Sequence, residues 1–497
     1  MKKIRIIYTS DIHGYIMPKD YRSGEVKNIG LFSIFKNIEK DENTLIIDGG
    51  DTIQGSNLAT YLALEKDDPS LIAKAMNLCK YDFVTIGNHD FNYGIDYLNK
   101  YLNHLEAKCI CANVKGNIDT LDYAIKEING LKIGIVGVTT DFINVWEKKE
   151  NLKGVTVKNT YDTLKDFFNK NKLNVDILIG LYHGGISYDF ETKELLSNTS
   201  ENIAYQICRD FNFDILLSGH QHMRINDKLI EKTHLFQTPE NAVEALEIIL
   251  HYENKNLQVK SRFFKGETED SFEKDFINIE NEIDEYLDRP LGSLNEDIVT
   301  PPPLERALHG SALANLVNKI QLEYTGADIS VTSLANEIPK LSKNLTIRGV
   351  LNTYVYFNTL EIKELSGKVL KEAIEQSLSY FKLDNNKINI SDSFLKPKVE
   401  HYNYDFYYNV EFKADISKEV GSRLTEIKFK GKTVKDDDTF KVCVSNYRAS
   451  GTGGYNMYKD SKTIKTFPDP ISDIIMDYIR KHKNIIVNKE SNYIIEH

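Results

Sequence analysis

The sequence predicts an α/β protein with two domains, and three observations lead to that prediction. Short aliphatic runs in the first half of the chain end in small and polar residues, as buried strands do; they are IRIIYTSD, TLIIDGGD, YDFVTIGN, LKIGIVGVTT, VDILIGLYHGG and FDILLSGHQH. Between several of these runs lie segments with helical apolar spacing, such as IGLFSIFKNIEK and IDYLNKYLNHLEA. At 497 residues, the chain is long for a single hydrophobic core.

The composition limits the classes of partner. A formal net charge of −11 argues against a general nucleic-acid binder, which needs a basic face. A small anionic substrate stays compatible if something local and positive recruits it. No window approaches the roughly 18 apolar residues of a membrane-spanning helix, and no segment indicates a protein partner. The N-terminus lacks the apolar stretch of a signal peptide, so a cytoplasmic location is expected unless a leader has been removed.

The domain boundary is expected near residue 300. The segment DSFEKDFINIENEIDEYLDRP predicts an acidic amphipathic helix, and a triple proline at 301–303 follows it as a stiff linker. The next segment, LERALHGSALANLVNKIQLEYTG, predicts a helix that ends at Gly326, with Gly310 either inside the helix or at its start after a short irregular turn. Beyond it, helical segments alternate with aromatic-rich strands. The predicted organisation is therefore a first domain at 1–300, a linker helix at 301–325 and a second domain at 326–497.

The stretch YDFVTIGNHDFNYG concentrates polar groups at the end of a predicted strand. Asn88, His89, Asp90 and Asn92 fall between two glycines. One interpretation is a plain strand–turn–helix junction, in which Asn and Asp cap the helix and Gly forms the turn. The other is an active site at the carboxyl end of a buried strand, where ligands of open α/β sheets bind. The stretch alone supports both.

The other predicted strands end in the same way. Asp and His lie two apart after the first strand, another Asp follows the second, and later strands end in LYHGG and SGHQH. Together with Asn88 they form a set of oxygen and imidazole groups without a thiolate: Asp11, His13, Asp51, Asn88, His183, His220 and His222. Such a set suits two divalent ions that share one carboxylate, and zinc, manganese and iron are all compatible with it.

This pattern, D-x-H, G-D, G-N-H-D, H and G-H-x-H in that order, resembles that of the calcineurin-like metallophosphoesterases. The resemblance implies a β-sandwich flanked by helices, in α/β/β/α layers. It implies that one ion is held by residues matching Asp11, His13, Asp51 and His222, and that the other is held by residues matching Asn88, His183, His220 and the shared Asp51. It further implies in-line attack on phosphorus by a metal-bound hydroxide, with His89 as a catalytic residue that contacts the phosphoryl group. Asp90 is expected to orient His89 or to brace the turn.

The second half resembles the C-terminal domain of the 5′-nucleotidases and cyclic-nucleotide phosphodiesterases. The segments that carry this resemblance are HGSALANLVNKIQLEYTGADISVTS and VSNYRASGTGGYNMY. It implies a mixed α/β domain that stacks a nucleoside base between two aromatic rings. Tyr455 is expected to be one ring, with Tyr404 as its first partner and Tyr402 as its second. Arg448 is a candidate for substrate contact, with a surface salt bridge as the alternative.

Two departures bear on the substrate. Where the 5′-nucleotidase pattern has Asp three residues after the catalytic His, this sequence has Asn92, and the segment SLANEIP lacks the arginine of a substrate-gripping loop. Segments such as GDTIQGS and NYRASGTGGY instead resemble the 2′,3′-cyclic-nucleotide 2′-phosphodiesterase/3′-nucleotidase branch. That activity is the first expectation, and a 5′-nucleotidase is the alternative. A catalytically silent nucleotide-binding protein is disfavoured because every ligand and His89 are present.

Overall fold

The chain divides by its internal contacts into two units, Met1–Ile283 and Asp284–His497. The computed structural model describes residues 2–21, 24–188, 190, 200–268, 274–356, 358–396, 398–467 and 469–497.

The first unit contains two six-stranded sheets with parallel centres. The spatial order of the first sheet is Asn256–Phe264, Ala245–Glu253, Lys2–Thr9, Thr44–Asp48, Phe83–Val84 and Lys108–Cys109, of which the last four strands run parallel. The order of the second sheet is Ile225–Ile230, Thr233–Gln237, Ile215–Ser218, Ile177–His183, Leu131–Thr139 and Tyr123–Ile128, of which the middle four run parallel. Two short two-stranded sheets are added by Lys19–Asp20 with Glu25–Val26 and by Val114–Gly116 with Val155–Val157.

The two large sheets share one hydrophobic core. Ile6 and Tyr8 of the first sheet belong to the same buried cluster as Ile135 and Ile179 of the second. On its other face the second sheet packs against helices, including Thr160–Lys170 and Ala204–Asp210. The remaining helical segments of this unit are Leu31–Phe35, Asn57–Tyr61, Leu62–Lys66, Ser70–Leu78, His89–Phe91, Ile95–His104 and Ile143–Trp146, and Lys274–Leu287 crosses into the second unit. The expected sandwich with flanking helices is therefore confirmed.

The second unit is mixed α/β, as expected. Its five-stranded sheet has the order Asp405–Tyr408, Ile329–Ser333, Thr439–Ser445, Leu360–Ser366 and Lys462–Phe467. Smaller sheets comprise Lys432–Thr433, Leu424–Phe429, Glu411–Asp415 and Tyr493–Glu496; Asn344–Thr346, Pro290–Leu294 and Asn484–Ile485; and Phe381–Asp384 with Lys387–Ile390. Its helical segments are Pro303–His309, Ala312–Thr325, Ile347–Thr353, Gly367–Leu378, Asp392–Phe394, His401–Asn403, Asn446–Ala449, Thr452–Gly454, Asn456–Lys459 and Ile471–His482.

The segment predicted as the linker helix, 301–325, forms two helices, Pro303–His309 and Ala312–Thr325, which meet at Gly310. Gly310 ends the first of them with a φ of +88°, and Ser311 caps the second by accepting a hydrogen bond from the amide of Ala314. The second helix ends at Gly326, as predicted, with a left-handed φ of +70°. Both helices belong by contact to the second unit, and the domain limits at 300 and 325 stay a prediction. Among the described residues, no helix is both long enough and apolar enough to cross a membrane.

Candidate metal centre

The predicted ligands lie at the carboxyl ends of parallel strands from both sheets of the first unit. In the first sheet, Asp11 and His13 follow Lys2–Thr9, and Asp51 follows Thr44–Asp48. In the second sheet, His183 ends Ile177–His183, and the pair His220 and His222 follows Ile215–Ser218. The side chains assemble into two groups of three, Asp11 with His13 and His222, and Asp51 with His183 and His220, and in each group the donor atoms lie within 4.8 Å of one another.

In the first group, acceptor atoms face one another. Nδ1 of His13 lies 2.8 Å from the carbonyl oxygen of Gln54, and Nδ1 of His222 contacts Glu240. If each Nδ1 carries the proton, each Nε2 is left with a lone pair. These two Nε2 atoms are 3.2 Å apart, and Nε2 of His222 is 3.4 Å from Oδ1 of Asp11. A cation satisfies such a convergence of lone pairs, so the donor set fits a divalent ion.

The second group repeats this arrangement. Nδ1 of His183 lies 2.7 Å from the carbonyl oxygen of Gly49, so its Nε2 points at two oxygens. Those are Oδ2 of Asp51 and Oδ1 of Asn88, each 3.2 Å away. Oδ2 of Asp51 is buried and accepts no hydrogen bond from the described residues. This buried acceptor fits a second ion. The distances place Asp51 in the second group, and its role as a bridge to the first ion stays a prediction.

The charges of the two groups perturb the pKa values of their members. Burial alone would lower the pKa of His183, but the charge of Asp51 raises it to about 10. Burial likewise opposes the effect of Glu240 and Asp11, whose charges raise the pKa of His222 to about 9. The surroundings of both histidines therefore favour positive charge. A divalent cation would supply that charge by replacing the protons on these nitrogens.

Five of the seven predicted ligands have a left-handed backbone, which non-glycine residues rarely adopt. Their φ angles lie between +53° and +75°, and the residues are Asp11, His13, Asp51, His220 and His222. Such conformations cost roughly 1 kcal/mol or more each and cluster at functional sites. The turns that follow the strands thus hold these side chains in place at the expense of local backbone strain.

His89 lies beside the predicted metal ligands and is half-buried. Its ring centroid is 5.5 Å from that of His13, and its main-chain amide donates to Oδ1 of Asp51 at 2.7 Å. Nδ1 lies 2.9 Å from Oδ1 of Asn92, whereas Nε2 has no hydrogen-bond partner among the described residues. Nε2 is therefore the ring nitrogen available to a substrate.

Asp90 braces two turns and does not contact the ring of His89. Its Oδ1 accepts from the amides of Thr52 and Ile53, and its Oδ2 accepts from those of Asp51 and Gly87. Of the two expected roles, the structure supports the bracing role, so the assignment of Asp90 as a catalytic residue is corrected. Burial and the charge of Asp51 raise the pKa of Asp90 to about 6.

Several residues that support the site were not identified from the sequence. Glu240 contacts His222, Glu201 lies 3.3 Å from Nε2 of His220, and Trp146 stacks on the His220 ring at 5.4 Å. Glu147 accepts a hydrogen bond of 2.6 Å from the side chain of Asn92. These acids stand in ordinary polar stretches such as VWEKKEN, where nothing local distinguishes them from solvent-exposed charges.

The two rings expected to form the base-stacking clamp are buried inside the second unit, which corrects that expectation. Tyr455 is 0% exposed and Tyr404 is 2% exposed. The Tyr455 hydroxyl bonds with Ser377 and with the carbonyl of Asn403, and the Tyr404 hydroxyl donates to the carbonyl of Ala307. Neither ring offers a face to a nucleoside base. Both are core residues in this arrangement.

Arg448 is also internal, so neither the expected substrate contact nor the surface salt bridge describes it. Its guanidinium pairs with Asp405 at 2.8 Å, donates to the carbonyl of Thr452 and lies 4.1 Å above the Tyr455 ring. Tyr402, the second candidate partner, is only half-buried, and its ring lies 6.3 Å from that of Tyr356. Of the four predicted substrate-binding residues, Tyr402 alone is not fully buried.

Each half of the chain matches a known protein family. Residues 4–224 match the calcineurin-like phosphoesterase family, and residues 292–460 match the 5′-nucleotidase C-terminal domain. The chain is 26% identical to the trifunctional nucleotide phosphoesterase protein YfkN of Bacillus subtilis, across 99% of this chain but only 39% of that protein. It is 25% identical to a 2′,3′-cyclic-nucleotide 2′-phosphodiesterase/3′-nucleotidase of Yersinia enterocolitica, across 99% of this chain and 87% of that protein.

A solved structure resembles the whole chain. The crystal structure of a putative 5′-nucleotidase from Staphylococcus aureus in complex with alpha-ketoglutarate is 28% identical in sequence. It superposes with a TM-score of 0.92, and the match covers 100% of both chains. The architecture of both units is therefore shared with a protein of known structure.

Proposed function

Because the chain belongs to the calcineurin-like phosphoesterases that carry a 5′-nucleotidase C-terminal domain and is a phosphoester hydrolase, we propose that it acts on 2′,3′-cyclic nucleotides and 3′-nucleotides. The observation that carries the proposal is the pair of converging donor groups at the strand ends. When bound there, two divalent ions activate water and stabilise the charge that develops on phosphorus. Zinc, manganese and iron all suit this mixture of imidazole and carboxylate ligands.

The chain's own residues hold the reacting groups in place. Asp11, His13 and His222 would hold one ion, and Asp51, His183, His220 and Asn88 would hold the other. Nε2 of His89 then lies beside them, where its lone pair can take a proton from the attacking water and pass it to the leaving oxygen, and where the N–H formed in between can contact a phosphoryl oxygen. The hydrogen bond that its main-chain amide donates to Asp51 holds it beside the turn that carries this predicted ligand.

The proposed reaction has two steps. Water adds to the cyclic phosphorus, the bond from phosphorus to the 2′ oxygen breaks, and that oxygen takes up a proton to give a 3′-nucleotide. A second water then cleaves the 3′ ester and releases inorganic phosphate and a nucleoside. In both steps the same donor groups would hold the ions, and the same histidine would serve the reacting oxygens.

Two observations favour this substrate class. Asn92 stands where the 5′-nucleotidase pattern has Asp, and relatives named as 2′,3′-cyclic-nucleotide 2′-phosphodiesterase/3′-nucleotidase match nearly the whole chain. The second candidate is a 5′-nucleotidase. It is favoured by the likeness to the Staphylococcus aureus protein of that name, at 28% identity and a TM-score of 0.92.

Phosphate release from separate nucleotides tests the proposal. Purified protein is supplied with manganese or zinc and with 2′,3′-cyclic AMP, 3′-AMP or 5′-AMP, and products are separated by chromatography. We expect 2′,3′-cyclic AMP to give 3′-AMP and then adenosine, and a chelator to stop both steps. Hydrolysis of 5′-AMP alone would establish the 5′-nucleotidase instead. No hydrolysis of any nucleotide, by protein shown to contain metal, would overturn both.

A further inference from the structure

A chain of hydrogen bonds leads from His89 to a carboxylate in a distant loop. Nδ1 of His89 lies 2.9 Å from Oδ1 of Asn92, and Nδ2 of Asn92 donates to Oε2 of Glu147 at 2.6 Å. We propose that Glu147 is a positioning residue, which orients the Asn92 amide and thereby determines which nitrogen of His89 faces the substrate. The proposal rests on the proposed function for the role of His89, but its structural content is tested separately below.

The amide of Asn92 needs an external group to orient it. An amide presents an oxygen on one side and an NH₂ on the other, and the two arrangements have nearly the same shape. An ionised Glu147 can accept hydrogen bonds but cannot donate them. It therefore attracts the NH₂ of Asn92 and turns the amide oxygen of Asn92 towards His89. That oxygen requires a proton on Nδ1. Nε2, with its lone pair, then faces the substrate.

Glu147 is itself held in place. Its Oε1 accepts from the main-chain amide of Lys148 at 2.7 Å and from Nδ2 of Asn151 at 2.8 Å. Asn151 also donates to the main-chain carbonyl of Asn92 at 2.9 Å, which ties the two loops together. With two donors on Oε1, only Oε2 is directed at Asn92. The carboxylate is therefore fixed before it orients the amide.

This arrangement makes a specific prediction for Glu147→Gln, which preserves size and shape. The two donors that face Oε1 attract the oxygen of the new amide, so its NH₂ faces Asn92. The Asn92 amide then turns its oxygen towards residue 147 and its NH₂ towards His89. Nδ1 of His89 must now accept, and the ring proton moves to Nε2. Because Nε2 can then no longer accept a proton, we expect kcat to fall about 10–100-fold, the size typical when a group that orients a functional side chain is changed, with KM and metal content unchanged.

The double variant Asn92→Asp with Glu147→Gln should again place an acceptor of residue 92 opposite Nδ1 of His89. An aspartate at 92 accepts from Nδ1 of His89 with one oxygen and from the NH₂ of residue 147 with the other. We expect kcat to recover most of the loss. Asn92→Asp alone places a carboxylate oxygen at the position of Nδ2, which lies 2.6 Å from Oε2 of Glu147. The two carboxylates repel each other, so this single variant should not reach the kcat of the double variant. Glu150→Gln, an exposed glutamate three residues further along the loop, is the matched control and should match the wild type.

The decisive measurement is independent of substrate. Proteins labelled with ¹⁵N-histidine report by NMR whether Nδ1 of His89 carries a proton, with His89→Ala used to assign the signal. We expect a protonated Nδ1 in the wild type and the double variant, and an unprotonated Nδ1 in Glu147→Gln. An unchanged His89 signal in Glu147→Gln, or no recovery of signal and kcat in the double variant, overturns the proposal. If wild-type protein hydrolyses no nucleotide, the proposed function fails, whereas the NMR comparison still decides the role of Glu147.

Discussion

The main-chain amide of His89 donates a hydrogen bond to Oδ1 of Asp51, at 2.7 Å. Gly87 permits this close approach, because a Cβ at that position would lie 2.0 Å from the same oxygen. The other oxygen of Asp51 lies 3.2 Å from Nε2 of His183. One carboxylate thus joins the residue expected to meet the phosphate to the residues expected to bind metal. Substitutions at Asp51 and His89 should nevertheless have separable effects.

Asp51→Asn should lose metal and activity together. The substitution keeps the shape of the side chain but removes the charge that lies within the second donor group. We expect less than two equivalents of bound metal by elemental analysis and nearly complete loss of phosphate release. Asp227→Asn is the control, since Asp227 also pairs with a histidine, His234, but lies outside both donor groups. Full activity in Asp51→Asn would contradict the mechanism.

His89→Ala should lower turnover without removing metal. Removal of one preorganised group that acts on the transition state typically costs ~10²–10³ in kcat. We expect a loss of this size, with two metal equivalents retained. His104→Ala, at an exposed histidine, should have no effect. If His89→Ala loses its metals and regains normal turnover after reloading, then His89 is a ligand and its role has been misassigned.

Asp90→Asn should destabilise the first unit. The isosteric amide places a donor where one carboxylate oxygen now accepts two main-chain amides. Leaving buried donors unsatisfied costs ~1–3 kcal/mol each, so we expect roughly 3 kcal/mol lost from the free energy of unfolding in urea. Asp96→Asn, at an exposed site in the following helix, is the control. Wild-type stability with a large fall in kcat would instead indicate a catalytic role.

Asp48 should make the stability of the metal-free protein depend on pH. Burial raises the pKa of Asp48 to about 7, so the folded state favours its protonated form. This contribution is present below pH 4 and is lost as the pH rises to 7, and a shift of that size corresponds to roughly 4 kcal/mol. We expect Asp48→Asn to gain stability relative to the wild type across this window. Chemical denaturation of chelator-treated proteins at pH 4.5 and pH 7.5 measures it, and a constant difference would refute it.

Tyr402→Ala should weaken nucleotide binding. Its ring is half-buried beside Tyr356, and base–aromatic stacking is worth ~1–3 kcal/mol. We expect KM for nucleotides to rise about tenfold, with little change for a small chromogenic phosphodiester that has no base. Tyr455→Phe should leave KM unchanged for both substrates, because Tyr455 is internal. Equal losses on both substrates in Tyr402→Ala would show a structural role.

The convergence of the predicted ligands could be foreseen because each of them lies at or just after the end of a buried aliphatic run. Asp11, His183 and His220 all follow runs whose composition marks them as central strands, and parallel strands bring their carboxyl ends to one edge. The aromatic clamp could not be predicted in the same way. Tyr402 and Tyr404 stand two residues apart in one aromatic stretch, yet the first is half-buried and the second is internal. Which ring is covered depends on the elements that pack over that stretch.

The sequence by itself determined the α/β class, the two-part organisation and the residue types of the two candidate metal-binding groups. These properties follow from local periodicity and from residue types at strand ends, which neighbouring residues along the chain specify. Only the tertiary structure decided the partners of the polar side chains. Asn92 and Glu147 are 55 positions apart, and Arg448 and Asp405 are 43 positions apart. A side-chain hydrogen bond acts over about 3 Å, so it depends on which loops the packed sheets bring together, and no local pattern encodes that choice.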